Sequence, residues 1–175
     1  ETYFKPTTEV SRVETAEVED VFVSDIDIDV PVSNRNNTNT YAVVFGNEEY
    51  DNFSNVDYAI NDATSFANYC NKVLGVPEDN IRVRKNATFS QMKEQINYLT
   101  KKANLNPDKL EVLVYYAGHG IPNVSTNEAY LLPCDASGTD FEFCYQLSNL
   151  YAQLDAMPIK RAVVFLDACF SGGTG

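Results

Sequence analysis

The feature that most constrains this chain is an alternation. From residue 41 onward, apolar runs of strand length take turns with stretches of helical period. YAVVF (41–45) is the first run. Residues 57–74 follow, with Ala59, Ala63, Phe66, Ala67, Cys70, Val73 and Leu74 at helical spacing and Gly75 as a stop. IRVR (81–84) is a second strand. Thr88 and Gln91 make a capping-box pattern ahead of a helix that carries Met92, Ile96, Leu99 and Ala103 on one face. EVLVYY (111–116) is a third strand and EAYLLP a short peripheral one. Ser148 is expected to cap a helix over 149–156, with Pro158 beyond its end, and RAVVFL (161–166) is the fourth strand. This order predicts an α/β fold, a mostly parallel sheet joined by right-handed crossovers with helices on both faces. EVLVYY and RAVVFL are apolar without alternation, which predicts central strands covered on both sides.

In such sheets, sites form beyond the carboxyl ends of the strands. YYAGHG delivers the only histidine, His119, just past the third strand; LDACFSG delivers Cys169 just past the fourth. Neighbouring strands would bring both side chains out at one edge. A thiol is a nucleophile only as thiolate, and a nearby histidine can take its proton and later protonate a leaving amine. Gly118 and Gly120 would let the backbone turn and leave room for a substrate carbonyl. The N–H groups of Gly120 and Cys169 could together donate to an oxyanion. Singly, a histidine here reads as a hydrogen-bonded loop residue and a cysteine as a small core residue. Together, with glycine beside both, they point to nucleophilic catalysis.

Charge and composition remove other classes. The net charge is −12 and no basic patch offsets it, which argues against nucleic acid or an anionic membrane as partner. No apolar run approaches the length of a membrane span. Cys70, Cys134, Cys144 and Cys169 show no C-x-x-C spacing, and with one histidine a zinc site is not expected; the cysteines are open to disulfides or to buried free thiols. Asn36, Asn52, Asn86 and Asn123 head N-x-S/T sequons, which matter only in a eukaryotic secretory protein. Residues 1–40 are acidic and mostly without a period, an extension or linker. Within them SDIDIDVPVS sets Ile26, Ile28 and Val30 against Asp25, Asp27 and Asp29. That reads as an edge strand ended by Pro31, its acids either binding calcium or keeping the edge unpaired. SGGTG (171–175) could form a phosphate nest, but lacks the lysine and spacing of a P-loop. The chain opens at Glu1 without a signal-sequence pattern, and the compartment stays open.

In combination, YYAGHG, LDACFSG, the 50-residue step from His119 to Cys169, YAVVFGNEEY and YAINDATSF resemble the caspase-like cysteine peptidases. They stand nearer to metacaspases and their bacterial relatives than to animal caspases. The resemblance covers residues 41–175. It implies a three-layer sandwich to which this chain supplies about four core strands, a His119/Cys169 dyad without a third member, and no required cofactor, with calcium dependence open. Caspases carry glutamine two residues before the nucleophile; here Asp167 stands there, as in metacaspases, and Asp62 matches their second pocket acid. Two carboxylates imply a first subsite for arginine or lysine. For Asp62 alone, a helix first-turn acid is the competing reading. The resemblance further implies peptide substrates and a small subunit from the same precursor, following Gly175 after a cut beyond the catalytic strand. A catalytically silent scaffolding domain of the same fold is the alternative.

Overall fold

The computed structural model describes residues 29–137 and 140–170. Its core is a four-stranded sheet in which β1 (Thr40–Gly46), β2 (Ile81–Lys85), β3 (Glu111–Ala117) and β7 (Arg161–Asp167) lie in the order β2-β1-β3-β7, every pairing parallel. α1 (Ala59–Lys72) joins β1 to β2, α2 (Phe89–Leu105) joins β2 to β3, and α3 (Leu147–Asp155) precedes β7. The first crossover runs one way across the sheet and the later ones the other way. Right-handed connections must then put α1 on one face and α2 and α3 on the other.

The burial follows that division. Ala42, Val44, Leu113, Tyr115 and Val163 pack with Ala63, Phe66 and Cys70 of α1. Val43, Phe45, Val112, Val114 and Tyr116 pack with Met92, Ile96 and Leu99 of α2 and Leu150 and Leu154 of α3. The period of two along the strands meets the helical period on each side, which is why the sequence pattern gives the layers. The capping box at α2 is present in both halves: Thr88 Oγ1 accepts from Gln91 N and Gln91 Oε1 accepts from Thr88 N.

Several expectations are corrected. β7 is not a central covered strand; among the described residues it is a sheet edge, and Phe165 is 42% exposed. Ser148 does not cap α3. The helix begins at Leu147, and the Ser148 hydroxyl instead donates to Glu128 Oε2 at 2.8 Å. The peripheral strand is the middle of a second, antiparallel sheet of β4 (Gly120–Asn123), β5 (Glu128–Leu131) and β6 (Tyr145–Gln146). Of the proposed edge strand, Asp25, Ile26, Asp27 and Ile28 lie outside the described residues, while Asp29 and Val30 carry no strand. The SNRNNTNT loop closes the end of α1, with Ser33 N donating to Lys72 O and Asn37 N to Gly75 O, both at 2.8 Å. All four cysteines are free thiols.

Candidate active site

The β3–β7 register fixes the site. Ala117 lies opposite Asp167 where both strands end, and His119 and Cys169 each follow two residues later in the chain. Both residues therefore follow the carboxyl ends of adjacent strands. Gly118 N donates to Asp167 O at 3.2 Å and holds the strands together directly beneath them. Cys169 is exposed, whereas Cys70, Cys134 and Cys144 are buried. Burial pushes the thiols of Cys70 and Cys134 up to about 12 and that of Cys144 to about 11. Only Cys169 offers its sulfur to solvent.

His119 is held by the loop after β1. Its Nε2 lies 2.8 Å from the Ser54 carbonyl oxygen. A carbonyl can only accept, so Nε2 carries the proton and Nδ1 is left as the basic nitrogen. The Tyr50 ring packs 4.8 Å from the imidazole and the Phe53 ring 6.4 Å. The His119 N–H donates to the Tyr50 hydroxyl at 2.9 Å, and the Tyr116 hydroxyl lies 2.8 Å from the His119 carbonyl oxygen. Gly118 has φ +149°, and a Cβ there would stand 2.5 Å from the Tyr50 hydroxyl and 2.8 Å from that of Tyr116. Only glycine fits between the two phenols.

The room beside Gly120 is not left for a substrate, as the sequence suggested. The Phe170 ring fills it, and a Cβ on Gly120 would meet that ring at 2.5 Å. His119 O accepts from Leu132 N at 3.0 Å, just ahead of the β4–β5 ladder, which starts at Gly120 opposite Leu131.

Asp62 and Asp167 converge on one phenol. Asp167 ends β7 on the face that carries Phe165 and Tyr115, and Asp62 lies in the first turn of α1, one turn before Phe66. Phe66 stacks on Tyr115 at 4.4 Å and lies 5.0 Å from Phe165. The Tyr115 phenol is pushed up to about 12, first by burial and then by the negative charges of Asp167 and Asp62. Both carboxylates thus stand around one aromatic floor on the α1 side of the edge. Among the described residues no group of three or more His, Cys, Asp or Glu side chains is placed to hold a metal ion.

Sequence reasoning missed Ser54, Tyr50 and Phe53, the residues around the imidazole. Tyr50 lies within YAVVFGNEEY, which carries the resemblance, but a backbone carbonyl has no residue-type signature and Ser54 could not be found that way.

Comparisons with known proteins bear on the fold and the family. The profile of the caspase domain, Peptidase_C14, matches residues 39–175. A search of curated proteins returns no match. Among solved structures, a structural-genomics protein from Geobacter sulfurreducens is similar with a TM-score of 0.55 at 19% identity, over 78% of this chain and 52% of that one. The chain therefore spans about half of that structure, and at this identity the likeness concerns the fold. With β3 and β7 in register beneath a histidine and an exposed cysteine, and with the caspase-domain profile covering 39–175, the chain belongs to the caspase-domain family of cysteine peptidases.

Proposed function

We propose that this protein is a cysteine endopeptidase that cleaves after arginine or lysine through a His119/Cys169 dyad. The observation that supports the reading is the register that ends β3 and β7 side by side, two residues ahead of the histidine and of the one exposed cysteine. His119 Nδ1 takes the Cys169 proton as the sulfur attacks the scissile carbonyl carbon. The same nitrogen then protonates the leaving amine, which leaves a thioester. Water, deprotonated by His119, hydrolyses that thioester and restores the thiol. The Ser54 carbonyl holds the Nε2 proton throughout and supports the imidazolium. The N–H groups of Gly120 and Cys169 serve the oxyanion.

Asp167 and Asp62 receive the basic side chain, with Tyr115 and Phe66 beneath it. A charge-assisted contact contributes roughly 1.5 to 3 kcal/mol, or on the order of tenfold to more than a hundredfold in specificity. Fluorogenic peptides differing only at the cleaved position test both parts. Cys169→Ala is expected to abolish turnover, and Asp167→Ala to lower kcat/KM for arginyl peptides far more than it changes thiol alkylation. Equal cleavage after aspartate would sink the pocket assignment; turnover by Cys169→Ala would sink the dyad.

A second polypeptide segment, the small subunit expected after Gly175, pairs along β7. Support comes from the half-exposed apolar run on that edge, which includes Phe165. Hydrogen exchange on the active enzyme decides it: β7 amides that exchange as a free edge in a fully active preparation would rule the partner out.

A further inference from the structure

We propose that Tyr50 and Tyr116 are positioning residues, a pair of phenols that clamps both backbone groups of His119 and so aims its imidazole at Cys169. This rests on the dyad reading above. The proton count gives the clamp its direction. The Tyr116 hydroxyl lies 2.8 Å from His119 O and 2.9 Å from Leu132 O. Both oxygens only accept, so the single Tyr116 proton goes to them. The Tyr50 hydroxyl lies 3.4 Å from that of Tyr116, and Tyr50 must be the donor in that pair. The Tyr50 oxygen in turn accepts the His119 N–H at 2.9 Å. The bonds therefore close a ring: His119 N–H to Tyr50, Tyr50 to Tyr116, Tyr116 back to the His119 carbonyl.

The surroundings are built for this ring. Tyr116 is fully buried and Tyr50 nearly so, and Gly118 has no side chain where the two hydroxyls converge. The loop that carries Tyr50 is itself anchored beside them. Asn47, with no exposed surface, donates through Nδ2 to Leu132 O at 3.1 Å and accepts through Oδ1 from Ala87 N at 2.8 Å. The clamp thus joins the loop after β1, the end of β3 and the segment just after β5 at one residue. Burial raises the Tyr50 phenol to about 12 and holds that of Tyr116 well above its ordinary 10, so both stay protonated donors over the range in which the dyad works.

His119 is the only histidine, so its imidazole C–H resonances report this site alone. In the wild-type protein a nuclear Overhauser contact between the imidazole and the Tyr50 ring is expected. Tyr50→Phe keeps the ring and removes the clamp. It is expected to move the imidazole resonances and to lower kcat about ten- to a hundredfold, the loss that a misplaced reacting group brings, with KM little changed. The pH profile of Cys169 alkylation by iodoacetamide should shift toward that of His119→Ala. Tyr116→Phe breaks the same ring from the other side and should give the same pattern, and the double variant should be no worse than either single one. Wild-type kcat, resonances and alkylation profile in Tyr50→Phe, with both activities lost in His119→Ala, would overturn the clamp. So would absence of the wild-type Overhauser contact, which needs no variant to fold. If His119→Ala itself changes neither turnover nor alkylation, the dyad reading fails instead.

Discussion

At Gly118 the site and the fold meet in one missing methyl group. An alanine there needs a backbone conformation at φ +149° and puts its Cβ 2.5 Å from the Tyr50 hydroxyl. Strain of that kind costs on the order of 1 to 3 kcal/mol before the clash is counted. Gly118→Ala is therefore expected to lower Tm by several degrees and to abolish turnover, checked by calorimetry and a peptide assay. The thiols give a second prediction at this scale. Cys70, Cys134 and Cys144 are buried with pKa values raised to about 12, 12 and 11, while Cys169 is exposed. Native protein at mildly alkaline pH should take up a single iodoacetamide, at Cys169, and all four cysteines should react once it is unfolded. Intact mass and peptide mapping give the count.

Among the elements, α2 was written most plainly in the sequence, because its cap is local chemistry that needs only Thr88 and Gln91. Thr88→Ala should cost about 1 kcal/mol, read as a lower urea midpoint with unchanged slope. α3 shows the opposite case. Ser148 has the right residue type for a cap, but Glu128 on β5 draws its hydroxyl away, a partner 20 residues distant that no local pattern contains. The β3–β7 pair, which sets the site, is tied at its start by Glu111, whose carboxylate meets Lys160 at 2.9 Å and Arg161 at 2.6 Å. Hydrogen bonds from these two cations lower the Glu111 pKa below its ordinary 4.5. Its contribution is then present above the ordinary value and lost as the pH falls through the lowered one. Both cations are exposed, so the whole contribution is at most about 1 kcal/mol. Glu111→Gln should lower the urea midpoint slightly at neutral pH, and the gap from wild type should close in acid.

At the scale of the whole molecule, buried phenols set an alkaline limit. Tyr50 and Tyr115 are raised to about 12, and Tyr116 and Tyr145 are raised as well, all first by burial. A phenol that ionises later in the folded state than in the unfolded one gives full stability below the ordinary value of about 10. That stability is lost as the pH rises toward the folded value. Tm should hold to about pH 10 and fall steeply from there toward 12, with phenolate absorbance in two steps: exposed tyrosines such as Tyr58 and Tyr151 first, and the buried phenols only together with unfolding. A single phenolate step that is complete well ahead of unfolding would mean that the tyrosines around His119 are open to solvent.

The sequence by itself determined the alternation of strands and helices, the parallel sheet, the α2 cap, and the two strand ends that carry His119 and Cys169. Each of these is a periodic pattern or a short motif that the chain carries within a few residues. Only the tertiary structure decided that β3 and β7 are neighbours in register, since strand pairing is settled by which crossovers can pack on which face. It decided that β7 stands at an edge of the described sheet, because an apolar run looks the same in a strand covered by this chain and in one left half-exposed. It alone brought the Ser54 carbonyl and the Tyr50 hydroxyl to His119 across 65 and 69 residues of sequence. A backbone acceptor has no letter in the sequence, and a hydroxyl that bonds over such a distance leaves no local trace. The chemistry of this protein was thus legible at two points of the chain, and the geometry that could make those points act together was created by folding.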